Sequence, residues 1–249
     1  MAPESPPREI TEDTLFAGRL TCRQHRDGYR FSVDAVLLAH FFIPRPDESL
    51  LDLGCGCGVI PLILAYRWPG LRLTGLELQP QLAALARGNA AANGFAERIA
   101  IVEGDLRRAS ELFRPGQFQR LVCNPPFYRS DGARLNLDSE RRLARHEVEA
   151  DLAAVVVAAG WLLHKGGRFD LVYPAERAAT LLAELRGAGL EPKRLQVVHN
   201  HPGAPGRLVL VEGLKGGGEE LEILPPFFIY QAPGGEYTAE MARCYSPRD

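Results

Sequence analysis

The sequence Asn124-Pro125-Pro126-Phe127 brings two hydrogen-bond acceptors and an aromatic ring close together. Pro125 forces Asn124 towards an extended conformation, and Pro126 stiffens the next step of the backbone. The side-chain oxygen of Asn124 and the carbonyl oxygen of Pro125 then match the two N–H donors of a planar exocyclic amine. Phe127 offers a flat apolar face on which a base can stack. By itself the motif also fits a rigid turn, because Asn-Pro commonly opens turns.

A glycine-rich segment follows the first strongly apolar run of the chain. SLLDLG (49–54) is typical of a buried strand, and the pattern Asp-x-Gly-x-Gly-x-Gly extends from Asp52 to Gly58 before a helix-like segment. Glycines at positions 54, 56 and 58 allow a tight turn and a close approach of the backbone to a ligand. The segment therefore predicts a ligand-binding loop at the end of a strand.

Acidic residues end the first three predicted strands. Asp52 closes the first strand, Glu77 closes LRLTGLE (71–77), and Asp105 closes RIAIVEGD (98–105). Because the carboxyl ends of parallel strands form one edge of a sheet, we expect all three carboxylates to line the crevice where open sheets bind ligands. A carboxylate at the end of the second strand suits a ribose with two free hydroxyls.

Two cofactors compete for this loop. A nicotinamide dinucleotide needs Gly-x-Gly-x-x-Gly, and Val59 stands where that pattern requires its third glycine. The loop and the acidic ends of strands two and three together resemble the class I methyltransferases, which use S-adenosylmethionine (SAM). The resemblance implies that the three glycines face the methionine part of SAM, that Glu77 holds the ribose hydroxyls, and that Asp105 binds the adenine amine. The residues expected around SAM are Asp52, Gly54, Gly56, Gly58, Glu77, Leu78, Asp105, Leu106 and Asn124.

In such a protein the Asn-Pro-Pro-Phe motif has a chemical use. Two acceptors that hold the amine hydrogens favour a pyramidal nitrogen and direct its lone pair at the methyl group. No strong general base is needed, because the methylated ammonium is acidic, so catalysis rests on positioning and electrostatics. The motif resembles that of the methyltransferases acting on amines of adenine, guanine and glutamine side chains. All three acceptors are open at this point, and the expected catalytic residues are Asn124, Pro125, Pro126 and Phe127.

Strand-like and helix-like segments alternate along the chain, which predicts an α/β fold with an open, mostly parallel sheet. Further strands are predicted at 120–126, 167–173, 194–199 and 207–213, and helices at 32–42, 59–67, 81–93, 150–163 and 175–186. The link between the last two strands is too short for a crossover helix, so this pair should be antiparallel. We therefore expect a class I SAM methyltransferase (Rossmann-like) fold: a seven-stranded sheet with an antiparallel C-terminal hairpin and helices on both faces.

The domain organisation follows from the same pattern. Residues 1–13 are polar and proline-rich, and we expect a flexible tail there. A single domain is predicted over 14–249. Its parts are a cover for the cofactor or substrate (14–46), the Rossmann-like core (47–214) and a C-terminal extension (215–249), with an extended stretch at 221–230.

The flanks of these motifs resemble the bacterial tRNA(Val) adenine-37 N6-methyltransferase family over nearly the whole chain from about residue 13. The resemblance is carried by the segments 13–41, 124–129 (NPPFYR), 144–147 (ARHE) and 235–241 (GEYTAEM). It implies methylation of the adenine beside the anticodon, with tRNA as the partner. It also implies that Gln24, Phe31 and Asp34 close the SAM site. Cys57 stands where Thr is usual in the glycine loop.

A basic segment supports RNA as the substrate. Between positions 107 and 145 there are nine Arg and four acidic residues, in a chain whose formal net charge is −2. Arg side chains suit phosphates, although a solvated, salt-bridged surface would also explain any single one. The expected RNA contacts are Phe127, Tyr128, Arg129, Arg141, Arg142 and Arg145.

Composition excludes several classes of protein. The near-neutral charge excludes binding of nucleic acid through bulk charge, and the longest uncharged apolar run, 152–163, is too short to span a bilayer. Five cysteines and no secretory signal fit reduced thiols in a cytoplasm. We find no metal-ligand set and expect a monomer. The alternatives to a tRNA adenine methyltransferase are a protein-glutamine or rRNA guanine methyltransferase, an RNA-binding protein without activity, and a nicotinamide oxidoreductase.

Overall fold

The computed structural model describes residues 9–26, 30–45, 48–125 and 152–247, and these form an α/β fold. The strands are β1 (Ile10–Leu15), β2 (Leu20–His25), β3 (Ser49–Leu53), β4 (Arg72–Glu77), β5 (Ile99–Glu103), β6 (Phe118–Cys123), β7 (Leu163–Pro174), β8 (Leu190–His199), β9 (Gly206–Lys215), β10 (Glu222–Ile223) and β11 (Phe227–Phe228). The helices are α1 (Val33–Phe41), α2 (Val59–Arg67), α3 (Pro80–Ala92), α4 (Ala109–Leu112), α5 (Leu152–Leu162), α6 (Ala178–Gly187) and α7 (Ala239–Arg243).

Seven long strands make the central sheet in the order β8-β9-β7-β6-β3-β4-β5. Neighbouring strands are parallel except around β9, which is antiparallel to both β7 and β8. The predicted fold class, with its parallel core and antiparallel C-terminal hairpin, is confirmed. The short strands β10 and β11 add to the same sheet, because both pair in parallel with β8.

Helices cover both faces of the sheet because the central strands are apolar on both sides. Leu50 of β3 is buried on the face that carries α1 and α2, and Leu51 is buried on the opposite face beneath α5 and α6. The alternation of neighbouring side chains thus divides one strand between two hydrophobic cores. No described helix is long and apolar enough to cross a membrane.

An N-terminal hairpin, β1 and β2, forms a separate two-stranded antiparallel sheet. The prediction of a flexible tail up to residue 13 is wrong for positions 10–13, which belong to β1. Ion pairs across the hairpin, Arg26 with Glu9 and Arg23 with Glu12, account for the polar composition that suggested a tail. At its tip Phe16 has a φ of 54° and is buried, with its ring stacked on Tyr66 of α2 at 4.5 Å. The hairpin is therefore packed against the core.

Candidate cofactor and amine site

A pocket lies at the carboxyl edge of the parallel strands, where β3, β4, β5 and β6 end. Its lining combines apolar side chains with the glycine loop and the acidic strand ends. Its lining consists of Phe31, Ala35, Gly54, Cys55, Gly56, Cys57, Val59, Ile60, Leu76, Glu77, Leu78, Gln79, Leu82, Gly104, Asp105, Leu106, Arg107 and Asn124.

The glycine loop is held against β4 by backbone hydrogen bonds. The N–H groups of Gly54 and Cys55 both donate to the carbonyl oxygen of Leu76, at 2.8 and 3.0 Å. Gly54 and Gly56 line the pocket with φ values of +77° and +56°, a conformation that side chains disfavour. Gly58 does not line the pocket. A Cβ there would lie 3.2 Å from the Cβ of Ala86, so this glycine serves the contact between α2 and α3.

Glu77 lines the pocket and is fixed there by two backbone N–H groups. One carboxylate oxygen accepts the N–H of Gly56 at 2.8 Å, and the other accepts the N–H of Gln79 at 2.8 Å. The side chain thereby joins the glycine loop to the start of α3, although it is nearly buried. A carboxylate can accept several hydrogen bonds, so its bonds to the backbone are compatible with a hydroxyl donor from a ligand.

Asp105 lines the pocket at the end of β5 and is paired with Arg107. The Arg107 guanidinium donates to Asp105 through Nε at 2.9 Å and Nη2 at 2.6 Å, and the Arg107 N–H donates to Oδ1 at 2.9 Å. Hydrogen bonding by Arg107 lowers the pKa of the Asp105 carboxyl below its usual range. Arg107 also lines the pocket. Its place in the pocket was not predicted, because an arginine two residues after an acidic strand end is no recognised signal of a binding site.

The expectation that Asp52 lines the crevice is wrong. Its side chain is fully buried beneath the loop, and neither carboxylate oxygen has a hydrogen-bond partner among the described residues. Burial, and next the charge of Glu77, raise the pKa of Asp52 well above its usual value. Burial therefore favours the protonated form of Asp52. Strand position predicts that a side chain is near this edge but does not say that it faces a ligand.

Asn124 lies at the end of β6 and lines the pocket. Its side-chain oxygen is buried and accepts no hydrogen bond from the described part of the chain. Pro125 is buried and is not among the described residues that line the pocket, so the role of its carbonyl as an acceptor stays a prediction. The other motif and RNA-contact positions fall outside the described residues: Pro126, Phe127, Tyr128, Arg129, Arg141, Arg142 and Arg145.

Of the three residues expected to close the site from the N-terminal side, only Phe31 lines the pocket. Gln24 is buried away from it, where its side-chain oxygen accepts the N–H of Phe31 at 3.0 Å and its amide donates to Asp13. Asp34 faces away from the pocket, with its Oδ1 3.9 Å from Nη2 of Arg207. Gln24 thus acts on the pocket only through Phe31.

Some arginines of the basic segment form ion pairs with acidic residues of the protein itself. Arg120 is 1 % exposed and donates to Asp170 at 2.5 Å and 2.9 Å and to Glu212 at 2.7 Å. It cannot contact RNA. Arg108 is exposed and pairs with Glu111 at 2.6 Å. The local charge excess that supported RNA therefore overstates the number of available cations.

The fold and this pocket define the class of the protein: a class I SAM-dependent methyltransferase. Residues 32–185 match the family model described as "Methyltransferase small domain". A tRNA1(Val) (adenine(37)-N6)-methyltransferase from Porphyromonas gingivalis is 36% identical over 190 residues, 74% of this chain and 73% of the relative. One of the same name from Tolumonas auensis is 30% identical, over 76% of this chain and 77% of the relative. The chain belongs to this tRNA1(Val) methyltransferase family within the methyltransferase small domain group.

A solved structure shares the fold. The crystal structure of a predicted O-methyltransferase from Agrobacterium tumefaciens superposes with a TM-score of 0.67 at 21% identity. The match covers 86% of this chain and 98% of the other. At this identity the comparison shows the architecture alone. SAM is the methyl donor of the class.

Proposed function

We propose that this protein transfers the methyl group of SAM to the exocyclic N6 amine of adenine 37 in tRNA1(Val). The observation that carries the proposal is the buried side-chain oxygen of Asn124, which has no partner among the described residues and borders the cofactor pocket. The names of the relatives from P. gingivalis and T. auensis support the choice of nucleotide. We also predict that the protein works as a monomer in the cytoplasm.

The residues of the pocket fit SAM. When bound, SAM supplies an electrophilic methyl group on a positively charged sulfur. Glu77, held in place by two backbone N–H groups, would accept hydrogen bonds from the ribose hydroxyls. Asp105, kept ionised by Arg107, would accept a hydrogen bond from the amine of the SAM adenine. Leu78 and Leu106 would contact the adenine ring.

The glycine loop would hold the methionine part of SAM. Its backbone approaches the pocket without side chains at Gly54 and Gly56. The raised pKa of Asp52 beneath it disfavours a second negative charge beside Glu77. Binding thus depends on one fixed carboxylate at the second strand and on loop geometry.

Asn124 would hold the target amine. A buried acceptor without a partner costs about 1–3 kcal/mol, and an incoming N–H removes that cost. With the carbonyl of Pro125 as the second acceptor, both hydrogens of the amine are held and its lone pair is left for the methyl group. The reaction does not require a general base in the pocket, because the product ammonium readily loses its proton to solvent.

Substitution of Asn124 tests this mechanism. Asn124→Ala should lower kcat by roughly 10²–10³-fold, the usual effect of removing one preorganised transition-state contact. Its Kd for SAM, measured by calorimetry, should change by less than about threefold, because the pocket keeps Glu77 and the loop. Asn124→Asp retains an acceptor in the same place and is the matched variant, with a smaller loss of kcat. Loss of SAM binding in Asn124→Ala, or unchanged turnover, would contradict the assignment.

A further inference from the structure

Asn89 on α3 joins three parts of the fold through one side chain. It is 1 % exposed and does not line the pocket. Its amide donates to the carbonyl of Cys57 in the glycine loop at 2.9 Å and to the carbonyl of Arg23 in β2 at 2.8 Å. Its oxygen accepts the N–H of Arg23 at 2.9 Å. Both the loop and the N-terminal hairpin are therefore bound to the same amide group.

Asn93 repeats half of this arrangement one helical turn later. Its oxygen accepts the N–H of Thr21 at 2.9 Å, and its amide donates to the carbonyl of Thr21 at 2.7 Å. Four helical residues rise about 6 Å and two strand residues about 6.6 Å, so the two amides match alternate residues of β2. They pair with β2 as a neighbouring strand would. No hydrogen bond from Asn93 to the glycine loop is found among the described residues.

The strand that Asn89 holds leads directly to the other wall of the pocket. Gln24 follows Arg23 in β2, and its side-chain oxygen accepts the N–H of Phe31, which is the residue of the pocket lining that the N-terminal part of the chain supplies next to β2. The thiols of Cys22 and Cys57 are buried 3.7 Å apart in the same junction. A shift of β2 relative to the loop would therefore change the distance between the two walls.

We propose that Asn89 is a positioning residue for the cofactor, because it sets the spacing between the glycine loop and the N-terminal wall that carries Phe31. The inference rests on the SAM-binding part of the proposed function and is independent of which RNA is methylated. Asn93 bonds to Thr21 of the hairpin and, through its amide, to the backbone carbonyl of Asn89 at 2.8 Å, but to no described residue of the glycine loop, which makes it the comparison for Asn89.

The test compares Asn89→Leu with Asn93→Leu by calorimetric titration of each purified protein with S-adenosylhomocysteine, without RNA. Asn89→Leu loses the bond to the loop as well as the two bonds to Arg23 of β2, and the Kd should rise by roughly tenfold or more. Asn93→Leu should raise Kd by no more than about twofold to threefold. Equal effects of the two substitutions, or none, would overturn the proposal.

A measurement on the unaltered protein covers the case in which Asn89→Leu does not fold. Amide hydrogen exchange by NMR is recorded with and without S-adenosylhomocysteine. Ligand binding should slow exchange of the Arg23 N–H, which bonds to Asn89, clearly more than that of the Thr21 N–H, which bonds to Asn93. Protection of the glycine loop without protection of Arg23 would overturn the proposal. Failure of RNA methylation would leave either result unchanged.

Discussion

Gly75→Ala should displace the glycine loop and so weaken cofactor binding. Gly75 lies in the middle of β4, and a Cβ there would come within 2.6 Å of the Cys55 sulfur and 2.9 Å of Cδ1 of Ile101. Ordinary van der Waals contact begins near 3.4 Å, so the Cys55 sulfur must move away from the new Cβ by almost 1 Å, and the loop moves with it. Such overpacking typically costs about 1–3 kcal/mol of the free energy of unfolding.

The displacement also threatens the bond from the Gly56 N–H to Glu77, which is 2.8 Å long. Loss of that bond, at about 1–1.5 kcal/mol, corresponds to a Kd for S-adenosylhomocysteine raised by roughly five- to tenfold. The assays are chemical denaturation for stability and calorimetry for affinity.

Two variants separate this explanation from general damage. Cys55→Ala in the Gly75→Ala background removes the sulfur and should restore most of the affinity. Gly88→Ala, on the exposed face of α3 where a Cβ meets no atom within 4 Å, should leave affinity unchanged and stabilise the helix by about 0.5–1 kcal/mol. If Gly75→Ala binds as tightly as the wild type, or if Cys55→Ala restores nothing, the packing argument is refuted.

Two further predictions concern pH. Because the pKa of Asp52 is raised in the folded protein, the unfolded chain releases its proton first and the free energy of unfolding falls by about 1.4 kcal/mol per pH unit between the two pKa values. Asp52→Asn should therefore gain stability relative to the wild type as pH rises from 5 to 8 in urea denaturation, whereas a constant difference would show that Asp52 is not protonated. Burial, and next the charge of Arg67, lower the pKa of His40 from 6.5 to about 4, so stability is lost as pH falls below 6.5. His40 should account for a loss of about 2 kcal/mol between pH 7.5 and 5, and His40→Phe should flatten the denaturation profile over that range; an unchanged slope would contradict this.

The parallel strands of the sheet were predictable because they are continuous apolar runs that end in glycine, acidic residues or Asn-Pro. The β1–β2 hairpin was not, because its polar sequence shows no pattern that anticipates Asn89 and Asn93 some seventy residues later. Backbone N–H and carbonyl groups of its second strand form hydrogen bonds with the side-chain amides of Asn89 and Asn93. No local pattern indicates that arrangement.

Position at the sheet edge was also easier to predict than orientation. Glu77 and Asn124 line the pocket, whereas Asp52 is turned beneath it and Gln24 acts through Phe31. Arg120 illustrates the same limit for charge. Its partners Asp170 and Glu212 lie 50 and 92 residues away, so counting local charges could not show that it is buried and neutralised.

The most direct test of the proposed function uses methyl-labelled SAM and two transcripts of tRNA1(Val), one with adenine at position 37 and one with guanine there. Ribosomal RNA and a protein extract serve as parallel acceptors, and the RNA is digested to nucleosides for chromatography and mass spectrometry. We predict N6-methyladenosine from the first transcript alone. Label in the guanine transcript, or only in ribosomal RNA or protein, would contradict the choice of adenine 37 while retaining the fold and the cofactor.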